Sequence, residues 1–255
     1  MVALARSQVE PDIQLTEIYR LSVDQYHQMI RPEILHDGDP LELLEGLLLR
    51  KWPTRYRDSL DTIYIEQFYP LSVQQYEEMG RLGILSSDDR VELLEGVIFK
   101  RMPIFPPHTG TVLRLTDTIK PKLPAGWRYR QEQPIVLSDG EPMPDGVVAT
   151  GTDEDNFLFH PLGKDVALVI EVADSTLDRD RGIKLRSYSR AGIICYWIIN
   201  LIDRQIEVYT QPDAAAPTPT YGSMEIFKAG QSVPLSFNGN LIAQVAVDEL
   251  LPTAS

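Results

Sequence analysis

The chain has 255 residues, with 24 Lys and Arg against 37 Asp and Glu, for a formal net charge of −13. That balance excludes a protein that coats nucleic acid through an overall positive potential, but not an enzyme that touches it locally. Cys195 is the only cysteine, which excludes an internal disulfide framework and any zinc site built on several thiolates.

No apolar run approaches the roughly 20 residues of a membrane span. Met1 to Asp12 contains no block of signal-peptide character. A cytoplasmic location without membrane contact is the expectation.

The first hundred residues contain an internal repeat. Leu21-Ser-Val-Asp-Gln-Tyr-His-Gln-Met29 aligns with Leu71-Ser-Val-Gln-Gln-Tyr-Glu-Glu-Met79, and Leu41-Glu-Leu-Leu-Glu-Gly46 with Val91-Glu-Leu-Leu-Glu-Gly96. Two units are too few for a solenoid. Each copy reads as a short helix capped by Ser22 or Ser72, a polar turn, and a strand ending in basic residues and proline. The second copy runs on through Pro106-Pro-His-Thr-Gly110 into a helix over Thr109 to Lys120, whereas the first supplies no matching histidine. The expected division is therefore an appendage over residues 1–60, serving packing or a homodimer contact, and a main domain over 61–255.

Trp127 to Leu137 reads as a strand with Tyr129, Gln131, Gln133, Ile135 and Leu137 on one face. After the turn Ser138 to Pro144, Asp145 opens a second short strand. Val166-Ala-Leu-Val-Ile-Glu-Val172 is an apolar run interrupted by one acid, Glu171, which needs a cation, a metal, a proton or an open strand end to justify its place. Ser175 or Thr176 can cap the next helix, on which Asp180, Lys184 and Tyr188 form a stripe four apart. Gly192 ends it, and Ile193 to Leu201 reads as a buried strand that packs the Cys195 thiol. Ile206 to Tyr209 follows as a strand, Pro212 to Pro219 as a loop, and Tyr221 to Leu251 as short edge strands with a final helical turn.

Strand alternation lets two adjacent strands aim Asp145 and Glu171 at one point, a hard oxygen site of the kind Mg²⁺ or Mn²⁺ uses, with Lys184 to orient an attacking water. Each residue also has a plain structural reading: Asp145 as a turn residue, Glu171 at a strand edge, and Lys184 paired only with Asp180.

The ordered set Pro144-Asp145, Val169-Ile-Glu-Val172, Asp174-Ser-Thr-Leu177, Asp180-Arg181, Lys184, Tyr188, Ala191-Gly192 and Tyr196-Trp-Ile198 resembles the Uma family of restriction-endonuclease-like proteins, a branch of the PD-(D/E)XK nuclease superfamily. The Leu93-Leu-Glu-Gly96 strand and His108 resemble that family's N-terminal part. The resemblance implies an α/β fold, with a restriction-endonuclease-like mixed central sheet flanked by helices, to which the internal repeat adds a duplicated helix-strand unit at the N-terminus. It also implies Mg²⁺- or Mn²⁺-dependent hydrolysis of DNA, with Asp145 and Glu171 holding metal. The superfamily's lysine two residues after the second acid is Ala173 here, and Lys184 takes its place. Cys195 and Asn200 stand where the family often has Glu and Asp.

Gln133, Glu92 and His108 are supporting candidates. Glu42, the counterpart of Glu92, lies in the copy that lacks the rest of the site. Eight basic residues, Lys120, Lys122, Arg128, Arg130, Arg179, Arg181, Arg186 and Arg190, are candidates for a phosphate-binding rim. The competing readings are a non-catalytic binding or assembly protein on the same fold, and a hydrolase of another phosphate ester.

Overall fold

The computed structural model describes residues 14–36, 38–51, 65–152, 154–155, 158–237 and 239–252. Contacts group the chain into two compact units, Met1–Arg101 and Met102–Ser255. The boundary expected at residue 60 lies outside the described residues, and both helix-strand stretches belong to the first unit.

In that unit the same order of elements occurs twice: helix α1 (Val23–Ile30) with strands β1 (Leu41–Leu44) and β2 (Leu47–Arg50), then α2 (Val73–Arg81) with β3 (Val91–Leu94) and β4 (Val97–Lys100). Ser22 and Ser72 each accept a hydrogen bond from the backbone of Gln25 or Gln75, whose side-chain amide oxygen accepts one from the serine backbone in return. Where the sequence predicts one strand per copy, the structure has a hairpin. The cause is the pair Glu45-Gly46 or Glu95-Gly96, with φ of 50° and 81° or 48° and 76°, the positive values a tight two-residue turn demands. The halves hold each other reciprocally. Gln25 donates to the Ile84 carbonyl at 2.8 Å and Gln75 to the Ile34 carbonyl at 2.6 Å, while Ile18 bridges to Phe99 and Leu49 to Phe68.

The second unit is built on a mixed six-stranded sheet of order β10-β9-β8-β7-β6-β5. Its strands are β5 (Trp127–Gln131), β6 (Gly146–Thr150), β7 (Val166–Ala173), β8 (Cys195–Asn200), β9 (Gln205–Asp213) and β10 (Thr220–Lys228). Only β7 and β8 are parallel, and they are joined by a helical crossover, as a parallel pair requires. On one face α3 (Pro106–Ile119) buries Val112, Leu115 and Ile119 against Val148, Leu168, Ile170 and Trp197. That cluster also holds the β11 (Ser232–Phe237) and β12 (Asn240–Ala246) hairpin and α6 (Val247–Leu250). The other face carries α4 (Leu177–Arg179), a kinked segment Asp180–Lys184 with non-helical backbone at Gly182, and α5 (Leu185–Arg190) over Val147, Val169, Tyr196 and Ile198.

Several expectations are corrected. The helix expected from Thr109 starts at Pro106, since proline suits a first helical position, where its missing N–H costs nothing. The strand expected through Leu137 stops at Gln131, because Glu132 adopts φ of 48°. Gln133 therefore leaves the sheet and is exposed. Pro212 belongs to β9, paired with Tyr221, rather than to a loop.

Gly96 and Gly83 offer a comparison. Both have positive φ, but a Cβ on Gly96 would lie 2.6 Å from Pro70 Cβ, whereas nothing lies within 4 Å of one on Gly83. Gly83→Ala should cost about 1–2 kcal/mol for its backbone alone, and Gly96→Ala measurably more. Equal urea midpoints for the two variants would show that the close approach at Pro70 contributes nothing.

Candidate active site

Asp145 directly precedes Gly146, which pairs with Ile170, the residue before Glu171, in the antiparallel ladder of β6 and β7. The Val172 N–H donates to Asp145 Oδ2 at 2.7 Å, which ties the turn to the strand. Asp145 is 7% exposed and Glu171 2%. Glycine follows Asp145 for a spatial reason, since a Cβ there would lie 2.5 Å from the Tyr129 hydroxyl.

Glu171 is placed on its face by alternation along a fully buried strand. Its Oε1 accepts a hydrogen bond from Tyr188 at 2.6 Å and lies 3.0 Å from Lys184 Nζ. Lys184 Nζ is also 3.9 Å from Asp180 Oδ1, and Asp180 Oδ2 accepts from Thr176 at 2.6 Å. One ammonium thus sits between two buried carboxylates, an arrangement suited to orientation and charge stabilisation rather than to proton abstraction. The stripe Asp180, Lys184, Tyr188 faces inward as its spacing predicts, but across a kink at Gly182, whose backbone is not helical (φ −100°, ψ −106°).

The kinked segment rests on four tyrosines. The ring centroids of Tyr188 and Tyr196 are 5.0 Å apart, those of Tyr196 and Tyr209 5.8 Å, and those of Tyr209 and Tyr221 6.1 Å. Each phenol donates to a named acceptor: Tyr188 to Glu171, Tyr196 to the Asp180 carbonyl, Tyr209 to Glu207 and Tyr221 to the Ile193 carbonyl. Burial raises the phenol pKa of Tyr196, Tyr209 and Tyr221, so they remain donors at neutral pH.

His108, near the start of α3, places Nε2 3.2 Å from Asp145 Oδ2. Its Nδ1 is buried and has no partner among the described residues. Burial opposes a charge on this ring, but the hydrogen bond to Asp145 and the charges of Asp145, Glu132 and Asp174 outweigh it and raise the His108 pKa.

Of the supporting residues expected from sequence, His108, Asp180 and Tyr188 touch Asp145, Lys184 and Glu171 respectively. Gln133 does not stand in the sheet as expected. Glu92 is buried in β3 of the first unit, whereas the other candidates belong to the second. The basic rim is only partly a surface. Arg130, Arg179 and Arg186 are buried, Arg181 pairs with Glu207 and Arg190 with Asp139. Cys195 is buried, and burial pushes its thiol up to about 12, which leaves it inert. Sequence reasoning missed Glu132 and Glu207. Glu132 follows directly on the last strand amide, Gln131, which was a usable signal, but nothing local marked Glu207.

Among the described residues no three His, Cys, Asp or Glu side chains gather where they could share a cation. The donor set is the pair Asp145 and Glu171. Mg²⁺ is commonly held through one or two carboxylates, with water and substrate phosphate completing its shell, and the pair fits that pattern.

The family described as Uma2, putative restriction endonuclease, matches residues 73–246. A solved structure from Anabaena variabilis, titled as a putative nuclease belonging to DUF820, superposes with a TM-score of 0.50 at 17% identity, over 71% of this chain and 97% of that one. At that identity the likeness shows a shared fold. No match was found among curated proteins.

The His108 contact carries a pH signature. A pKa raised by folding contributes stability that is complete below the unfolded value, about 6.5, and is lost as pH rises through the folded value. Wild type should therefore lose stability relative to His108→Gln as pH rises from about 6.5 through the raised folded value, as read from urea midpoints. A difference that stays constant over that range would contradict the pairing.

Proposed function

The chain belongs to the Uma2 family of putative restriction endonucleases, and we propose that it hydrolyses phosphodiester bonds in DNA with the help of Mg²⁺ or Mn²⁺. The observation that supports this reading is Asp145 held by the N–H of Val172, the residue after Glu171, with the Lys184 ammonium 3.0 Å from Glu171 Oε1. Asp145 and Glu171 are the residues that would hold the cation. When bound, such an ion polarises a phosphoryl oxygen and makes water a nucleophile near neutral pH.

The protein's own groups supply the rest. Tyr188 and Lys184 fix Glu171 Oε1, and so set the direction in which the carboxylate presents itself. Lys184 orients the attacking water and offsets charge that develops on the phosphoryl group, with Asp180 keeping its ammonium in place. His108 Nε2 lies 3.2 Å from Asp145 Oδ2 and so holds that carboxylate from α3. The reading places the protein in the cytoplasm, with DNA as its substrate.

A second reading is favoured by one observation: Glu171 already has Lys184 and Tyr188 as partners. A fold that neutralises its acid internally also suits a non-catalytic binding or assembly protein.

Purified full-length protein separates the two. Asp145→Asn and Glu171→Gln should each cut Mg²⁺- or Mn²⁺-dependent cleavage of plasmid DNA by about a thousandfold or more, and Lys184→Ala by about a hundredfold. Circular dichroism must accompany Lys184→Ala, because that change strands two buried carboxylates. Cleavage at the wild-type level in both carboxylate variants would sink the nuclease assignment, and no cleavage by wild type with either ion would favour the binding role.

A further inference from the structure

Glu207 lies on β9, and its side chain is fully buried. It is in register with Ile198 on β8, which is itself in register with Glu171 on β7. The three residues form one row across the sheet, so Glu207 shares the face of Glu171. A lone carboxylate there would be costly to bury. This one accepts five hydrogen bonds: from Arg181 Nε at 3.0 Å and Arg181 Nη2 at 2.5 Å, Asn200 Nδ2 at 2.8 Å, Tyr209 at 2.9 Å and Gln205 Nε2 at 3.3 Å. Burial alone would raise its pKa, but these donors outweigh burial and bring it to about 2, so the anion persists throughout the range in which the protein is handled.

Arg181 is the only one of these donors on the crossover between β7 and β8. It stands at the kink, between Asp180 and the non-helical Gly182, and three residues before Lys184. The helix's own hydrogen bonds are interrupted there, so the path is fixed from outside. Two contacts from the sheet do so: the Tyr196 hydroxyl donates to the Asp180 carbonyl at 3.0 Å, and Glu207 accepts from Nε and Nη2 along one edge of the Arg181 guanidinium. The fork-to-fork pairing specifies direction as well as distance.

We propose that Glu207 is a positioning residue, which through its two-pronged hold on Arg181 sets the course of the kinked segment Asp180–Lys184 and thereby places the Lys184 ammonium on Glu171. This rests on the reading of Lys184 as part of the site. Asn200 supports the anchor with an amide nitrogen, a donor that a carboxylate at that position would lack.

The test uses full-length protein and two variants, Arg181→Gln, whose side chain is 41% exposed and so tolerates change, and Glu207→Gln. The first readout is acylation of Lys184, followed by mass spectrometry, with exposed Lys120 as internal reference. Lys184 is 8% exposed at its side chain and should react slowly in wild type, and about tenfold faster in each variant. The control Asn200→Ala removes one donor but leaves the guanidinium pair, so it should lower thermal stability without changing the Lys184 rate. The second readout is cleavage, where kcat should fall about a hundredfold with KM nearly unchanged. Wild-type acylation rates in folded Arg181→Gln and Glu207→Gln would overturn the proposal. Should Glu207→Gln fail to fold, Arg181→Gln decides alone. Absence of cleavage by wild type would end the nuclease reading, while the acylation arm would still decide the positioning role.

Discussion

A carboxylate buried in the middle of a sheet persists only if donors surround it, and the second unit is organised by two of them in one row. Glu171 recruits Lys184 and Tyr188 from the crossover helices. Glu207 recruits Arg181 from the same crossover and Asn200, Gln205 and Tyr209 from the sheet. The crossover is thus fastened to the sheet at two charged points with an apolar residue, Ile198, between them. The tyrosine tier beneath it supplies the apolar contact area and carries its own hydrogen-bond donors. Removing Glu171 would take a partner from the buried Lys184 ammonium and the Tyr188 phenol, and removing Glu207 would take one from the Arg181 guanidinium, the Tyr209 phenol and the Asn200 and Gln205 amides.

That fastening bears on function through preorganisation. An electrostatic site works when its groups are already aimed before the substrate arrives. Here the Val172 N–H ties Asp145 to β7, the Tyr188 hydroxyl fixes one oxygen of Glu171, and the kinked crossover brings the Lys184 ammonium to the same oxygen. A long side chain delivered from a crossover needs an anchor for the segment that carries it.

Much of this was legible in the chain, because it rests on short-range patterns. An apolar run of strand length holding one acid gave β7 and its odd residue. Four-residue spacing put Asp180, Lys184 and Tyr188 on one face. What was illegible has physical causes as specific. A spacing of four persists across a kink, so the break at Gly182 left no periodic trace. Glu132 breaks β5 by a positive φ that its side chain does not advertise, and this removed Gln133 from the face it was assigned. The Glu-Gly pairs at Glu45 and Glu95 were read as strand interior although glycine after an acidic residue is a turn signal. Glu207 meets Arg181 across 26 positions of sequence, a pairing that only the closed sheet reveals.

The central claim is that Asp145 and Glu171 form one cation site. The most direct measurement is anomalous scattering from a crystal of the full chain soaked in Mn²⁺. The account predicts a single peak joined to both carboxylates, absent in a crystal of Asp145→Asn treated in the same way. Well-ordered side chains with no peak between them, Glu171 still held only by Lys184 and Tyr188 at saturating Mn²⁺, would contradict it.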